Sequence, residues 1–511
     1  MSQIEVVDYT KGKKEVIQQV VNYYEKQYNK KPQYVIDSPG RINIIGEHID
    51  YMGYGVLPMA IAQTSAIACG IEKNDMNIKK KIEPNNIAET IKTIFQHSTL
   101  TIQNVVEEKY KPLMKANFWE MMFCNLMEQQ TWWAYVVAGI RVIFKDYFFK
   151  DKLQAKEKLE EDIMLPVEPF TMTMAVHGNV PPGSGLSSSA SIVCAATMSM
   201  VATFTKKHMM TKERVAELAN KAEHDLGLIN GGMDQTISIC AESGTAKYIE
   251  FTPTLKATTV YLPYNAHFVV MHSLVSAEKQ KTAAVQYNRR VVECRLALTL
   301  LLHHLKMLKL TEETPTQLIQ LQILLGETLE NMVKLVDKHL TQDVYHLDEI
   351  AKMVDTNVDT LKTTVLRGIP AIASYDNLKL KQRATHVFSE ANRVLTFKQI
   401  LSKEKDPLEA IGQLMNDSHA SNRDLYDASC PELDELTTLA RQQKGCFGAR
   451  FTGAGFGGCA IALVQENAVT DFCHALWNAY YIQKTPLPTR SEVLFSSKPS
   501  RGALIQVVTS Y

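Results

Sequence analysis

Pro181-Pro182-Gly183-Ser184-Gly185-Leu186-Ser187-Ser188-Ser189-Ala190 runs straight into a long apolar segment that carries Ile192, Val193, Ala195, Ala196, Met198 and Met200. The glycines let the backbone turn tightly, and the apolar run predicts a helix that begins at the serines. A flexible turn ending at a helix start presents unpaired backbone N–H groups and the positive end of the helix dipole, which together favour a phosphate. The serine hydroxyls can donate to phosphate oxygens or supply an oxygen ligand to Mg²⁺. A serine-rich surface turn ahead of an ordinary helix has the same spelling, so the neighbouring sequence has to decide.

On either side of this loop, strands and helices are interspersed. Phe170–Val176 alternates as a strand and feeds the loop. Upstream, 13–28 has helical spacing (Val16, Val20, Val21, Tyr24), Tyr34-Val35-Ile36 reads as a short strand ended by Asp37-Ser38-Pro39-Gly40, and 55–72 is consistent with paired strands. Residues 73–131 give a poor signal and are taken as an insertion, whose shortening is expected to preserve activity. Helices are expected over 132–143, 151–162, 212–226 (capped by Thr211), 282–309, 316–340, 346–354, 378–403 and 431–442. A buried strand is expected at 268–271 and another at 459–464. The pattern is α/β or α+β, with a boundary between about 250 and 268.

With 511 residues the chain has room for two or three domains of about 100–200 residues each. Lys plus Arg equals Asp plus Glu at 55 each, so no bulk field attracts nucleic acid or an anionic membrane, and any anion must be held by a local site. The nine cysteines are scattered, without a C-x-x-C pair, which points to reduced thiols in the cytoplasm. The first 20 residues are charged and unlike a secretory signal, and the longest apolar stretch, 191–204, is too short and too hydroxylated to span a bilayer.

Three further clusters carry chemistry. Gly40-Arg41-Ile42-Asn43-Ile44-Ile45-Gly46-Glu47-His48-Ile49-Asp50-Tyr51 interleaves polar and apolar positions, the mixture that directional recognition of hydroxyls needs. A strand and turn with a solvated face is the competing view. Glu47-His48-Ile49-Asp50 lacks a second pair at metal-ligand spacing. Asn230-Gly231-Gly232-Met233-Asp234-Gln235 sets two glycines before one carboxylate, as expected where backbone approaches a ligand and Asp234 points into the site; a glycine turn with a capping Asp is the alternative. Thr452-Gly453-Ala454-Gly455-Phe456-Gly457-Gly458 leads into a strand, not a helix, which excludes a dinucleotide fingerprint. No Walker A sequence occurs, which disfavours P-loop and protein kinases.

Taken together and in this order, these motifs resemble the GHMP small-molecule kinases and, through the 40–51 motif, the galactokinases. Ser429-Cys430-Pro431-Glu432-Leu433-Asp434 is similar to the eukaryotic branch, which includes galactokinases and N-acetylgalactosamine kinases. The resemblance implies an α+β fold of two domains with the active site in the cleft between them. The first, 1–260, would be like ribosomal protein S5 domain 2, and the second, 261–511, ferredoxin-like.

It further implies that Arg41, Glu47, His48, Asp50, Gly232, Asp234 and Tyr287 contact the sugar, with Asp234 and Arg41 catalytic. Gly183, Ser184, Gly185, Leu186, Ser187, Ser188, Ser189 and Ala190 would wrap the ATP phosphates, Trp133 would flank the adenine, and Ser189 and Glu223 would hold Mg²⁺. The implied reaction is transfer of the γ-phosphoryl group of ATP to the C1 hydroxyl of galactose. Asp234 would either take the hydroxyl proton or only orient it. N-acetylgalactosamine is the rival substrate, against which Tyr287 leans. A non-catalytic sugar and ATP sensor is the other rival, against which stands the complete Ser187-Ser188-Ser189-Ala190. The expected partners are a small sugar and ATP, without nucleic acid or membrane. No motif encodes an oligomeric state, and a monomer is expected.

Overall fold

Tyr34–Ile45 (β2) and Leu57–Lys73 (β3) are the antiparallel spine of the larger sheet. Alternate residues of this spine face opposite layers. Ile36 and Ile67 point to one side, where the helices Trp132–Phe144, Ser188–Phe204 and Lys212–His224 pack. Val35, Ala66 and Ala68 point to the other, under Val16, Val20 and Tyr24 of the helix Glu15–Tyr28. The structure is a computed structural model that describes residues 3–9, 14–73, 87–105, 116–128, 131–145, 168–205, 210–277 and 286–508.

Seven strands make up this sheet, in the order Val6–Asp8 (β1), Leu504–Val507 (β13), β2, β3, Phe170–Gly178 (β6), Thr99–Asn104 (β4) and Ala116–Asn117 (β5). The β1–β13 and β4–β6 pairs are parallel and the others antiparallel. A four-stranded antiparallel sheet, Cys446–Phe451 (β10), Cys459–Gln465 (β11), Ala266–His272 (β9) and Leu494–Ser497 (β12), forms the centre of the second half with the helices Tyr287–His304, Leu380–Lys403, Leu408–Asp424 and Pro431–Arg441. A hairpin of Thr245–Glu250 (β7) and Lys256–Tyr261 (β8) bridges to Val56.

Several expectations change. The strand at 34–36 does not end at Pro39-Gly40. It continues to Ile45 through bulges at 39/41 and 43/45, because Gly40 leaves room for the Leu186 carbonyl and Arg41 N donates to that oxygen at 3.0 Å. The expected pair at 55–72 is one strand of 17 residues. The helix at 316–340 is two, Leu318–Leu325 and Leu329–His339, parted at Gly326 with φ +65°. The helix Leu408–Asp424 was not foreseen, and the one expected at 151–162 lies outside the described residues.

Two findings bear on the domain limits. The described parts of 73–131 pack into the first half: β4 lies beside β6 in the main sheet, and Phe95 and Phe118 are fully buried against Phe144 and Phe170. The second half does not keep its own C-terminus, since β13 returns to sit between β1 and β2.

Candidate active site

Arg41 joins the separate motifs. It lies on β2, is 1% exposed, and donates from Nε to Asp234 Oδ1 at 2.8 Å. Its Nη2 is 2.7 Å from the same oxygen, and Nη1 donates to the Gly185 carbonyl at 2.5 Å. One buried guanidinium therefore ties the carboxylate of the 230–235 motif to the backbone of the 181–190 loop. Such charge-assisted bonds fix geometry as well as charge.

Asp234 occupies the first turn of the helix Met233–Cys240, whose N-terminal dipole favours an anion there. Gly232 caps this helix with φ +98°. Gly231 performs a different task from the one expected. A Cβ there would collide with the Asp50 backbone, so the glycine admits Asp50 and not a ligand, and its N–H donates to Asp50 Oδ2 at 3.1 Å. Asp50 and Asp234 are thus brought side by side. Burial raises the Asp50 carboxyl above its usual range, and the Asp234 charge adds to this.

Glu47 is 1% exposed and held within the protein. Asn43 Nδ2 donates to Oε2, Gly453 N–H donates to Oε1, and Arg450 Nη1 lies 3.6 Å from Oε1. Burial pushes its pKa up to about 6, against the pull of Arg450 and Arg41. A carboxylate has about four lone-pair positions, so capacity remains for one further donor.

His48 sits in the left-handed region at φ 62°. Its Nε2 is 2.8 Å from the Ala454 carbonyl, which can only accept, so Nε2 carries the proton and Nδ1 accepts from Tyr51 Oη at 3.0 Å. Tyr51 Oη in turn accepts from Tyr426 Oη at 2.7 Å. Both ring nitrogens are committed to protein partners. Tyr287, the first residue of its helix, packs its ring 5.7 Å from those of His48 and Tyr51, and burial followed by the Asp50 charge raises its hydroxyl well above the usual value.

Gly183 and Gly185 adopt φ +65° and +75°, and Ser187, with φ 61°, precedes the helix Ser188–Phe204. The third glycine cluster supports this loop from behind. Cys459 N–H donates to the Ser184 carbonyl at 2.7 Å, and a Cβ on Gly458 would lie 2.6 Å from that same oxygen. Ser184 Oγ is used by the Pro181 carbonyl at 2.6 Å, and Leu186 and Ala190 are fully buried. Ser188 and Ser189 are half-buried in the first helical turn. Ser187 Oγ is buried and has no hydrogen-bond partner among the described residues.

Glu223, near the end of the helix Lys212–His224, accepts at Oε2 from Asn230 at 2.5 Å and Gln235 at 2.8 Å. Among the described residues no group of three His, Cys, Asp or Glu forms a metal cage. The donor set still fits Mg²⁺, which takes one or two protein oxygens and fills its octahedron with water and phosphate. Trp133 is half-buried on the helix Trp132–Phe144, which meets the 188–204 helix where Gly139 faces the Val193 carbonyl.

Comparison with known proteins agrees with this geometry. The galactokinase galactose-binding signature matches residues 22–71, the GHMP kinases N terminal domain matches 147–242, and GHMP kinases C terminal matches 402–483. The chain is 34% identical to the galactokinase of Dictyostelium discoideum, over 94% of this chain and 92% of that one. It is 31% identical to that of Saccharomyces cerevisiae, over 95% and 94%. The chain belongs to the galactokinase family. Its two-domain α+β fold is shared with the Lactococcus lactis galactokinase complexed with galactose, at a TM-score of 0.65 and 22% identity over 94% of this chain and 98% of that one.

Within this galactokinase-family chain the structure brings together Arg41, Glu47, His48, Asp50, Gly232, Asp234 and Tyr287. It also shows residues that sequence reading missed. Arg450 and Tyr426 bond to or pack against the motif residues, and Asn43, Gly231 and Thr452, which lay inside quoted motifs without an assigned role in the site, do so as well. Arg450 and Tyr426 stand in segments with no local signal.

Proposed function

We propose that this protein transfers the γ-phosphoryl group of ATP to the C1 hydroxyl of galactose, giving galactose 1-phosphate. The bridge from Asp234 through Arg41 to Gly185 carries the proposal, since it sets a hydroxyl-orienting carboxylate against a phosphate-binding backbone. Full-length similarity to proteins named galactokinase supports galactose over N-acetylgalactosamine.

In this reading Asp50 and Asp234 accept hydrogen bonds from sugar hydroxyls, and Glu47 adds one. Phosphoryl transfer passes through a loose transition state, so position and charge matter more than a strong base. Arg41 holds the Asp234 carboxylate from Nε and Nη2, and Asp234 orients the C1 hydroxyl and receives its proton as the O–P bond forms. The N–H groups of residues 183–190 and the dipole of the 188–204 helix bind the phosphates. Mg²⁺, held by Glu223 and a serine of 187–189, would neutralise phosphate charge. Nine unpaired thiols among the described residues fit a cytoplasmic setting.

The test is ADP release with galactose, N-acetylgalactosamine, glucose or no sugar in parallel. Only galactose should raise it strongly; equal rates with and without sugar would refute the proposal. Asp234→Asn should lower kcat by about 10²–10⁴-fold while calorimetry still detects galactose binding. Near-normal turnover would remove Asp234 from the mechanism.

A further inference from the structure

The turn that presents the sugar-binding side chains contains two left-handed residues in three, Gly46 at φ +104° and His48 at φ +62°. A non-glycine residue is rarely stable there without support. The turn is also buried, so its backbone N–H and C=O groups need partners. Both partners come from one face of the helix Leu380–Lys403. Glu390 Oε1 accepts from Gly46 N–H at 2.9 Å, and His386 Nε2 is 3.1 Å from the Glu47 carbonyl. Val394, one further turn along, closes the space beside Gly46, with its Cγ2 3.0 Å from where a Cβ would stand.

His386, Glu390 and Val394 are spaced i, i+4, i+8, which places them on one stripe of the helix. The pair is itself fixed. Glu390 is fully buried and also accepts from Ser418 Oγ at 2.5 Å and Arg393 Nε at 2.7 Å. Because the Glu47 carbonyl can only accept, His386 carries its proton on Nε2, and its Nδ1 accepts from Ser421 Oγ at 2.8 Å.

We propose that His386 and Glu390 are positioning residues for the sugar: from the C-terminal half they clamp the backbone of Gly46 and Glu47, and so set the directions in which Glu47 and Asp50 meet the hydroxyls. The proposal rests on the sugar-kinase reading. Hydroxyl recognition fails when donors and acceptors shift by a few tenths of an ångström, whereas the phosphate loop lies on other elements. Loss of the clamp therefore falls on sugar affinity and spares ATP.

Steady-state kinetics on Glu390→Met, Glu390→Gln, His386→Leu and His386→Gln test this. Met and Leu remove the acceptor and the donor, and each Gln restores one. The galactose KM should rise about tenfold in Glu390→Met and His386→Leu, with the ATP KM within about twofold, and each Gln variant should recover most of the loss. Amide exchange at Gly46 should quicken in Glu390→Met. An unchanged galactose KM, or galactose and ATP KM values rising together without rescue, would overturn the clamp. If the wild-type protein does not phosphorylate galactose, the sugar-kinase reading falls, and exchange at Gly46 decides the clamp, with unaltered exchange in Glu390→Met counting against it.

Discussion

His386 and Glu47 share one hydrogen bond and titrate in opposite senses. Burial lowers His386 to about 4, so the native state resists its protonation, while the unfolded chain takes up the proton near its ordinary value of 6.5. Its contribution is present above pH 6.5 and is lost as the pH falls to 4. Glu47, raised by burial to about 6 from 4.5, works the other way: between these values the native state holds the extra proton, so stability falls as pH rises. The two partly cancel in the wild-type protein, and a difference measurement separates them. Relative to His386→Gln, the wild type should lose about 3 kcal/mol between pH 7 and 4, as follows for an imidazole held at about 4 in the native state and at 6.5 in the unfolded chain. Urea midpoints at each pH read this directly, and parallel curves would mean that His386 does not titrate between the two states. At this scale the sequence was informative where chemistry is local. Arg41, Asp50 and Asp234 stand in dense polar runs, whereas His386 and Glu390 are two polar residues of a helix whose spelling does not say which face turns inward.

The three glycine clusters look alike as strings, and they divide the work at the level of elements. Residues 183–190 form the loop proposed to bind phosphate, Gly231 admits the Asp50 backbone, and 452–458 brace the 183–190 loop at Gly458 while holding Glu47 and His48 at Gly453 and Ala454. Composition foretold three turns but not which turn would face a ligand, because that depends on packing between segments far apart in the chain. β2 shows the same limit. Pro39-Gly40 is a local stop signal, overridden here by a hydrogen bond to Leu186 and two bulges. Gly458→Ala tests the bracing role. The new methyl would stand 2.6 Å from the Ser184 carbonyl, at a φ of +74° that disfavours a side chain. The loop must shift away from the phosphate-binding position, so the ATP KM should rise about tenfold, with a smaller change in the galactose KM. A rise confined to galactose would show that Gly458 acts through the Glu47 and His48 contacts of Gly453 and Ala454 and not by bracing the 183–190 loop.

Considered as one molecule, the protein has two large sheets, most of whose covering helices the periodicity of the sequence revealed, but its closure is non-local. β4 joins the main sheet from a segment whose sequence reads poorly, since its alternation is confined to two inward residues, Leu100 and Ile102, and an aromatic cluster packs beside them. Phe95→Ala should accordingly cost about 3–5 kcal/mol, as for other large buried rings, where a dispensable insertion would show no change in the urea midpoint. The chain end is the second closure. Arg501 Nη2 donates to both oxygens of Asp37, at 2.8 and 2.9 Å, in a pair that joins the end of the chain to the start of β2. Asp37 is fully buried, and Arg501 is about one-third exposed, so solvent screens the pair on one side only. Arg501→Ala leaves the carboxylate to Lys14 at 3.3 Å and Gln506 at 3.3 Å, neither of them bidentate. Leaving a buried acceptor under-satisfied costs about 1–3 kcal/mol. Because β13 lies between β1 and β2, this loss should loosen the strand and appear as faster amide exchange at Gln506, which pairs with Val35, and at Val508, whose N–H donates to the Gln33 carbonyl at 3.1 Å. The site lies beyond Ile36 on β2, so KM values for both substrates should stay within about twofold while the urea midpoint falls. A lower midpoint with raised KM values would instead mean that the tail governs the register of β2 as far as Arg41.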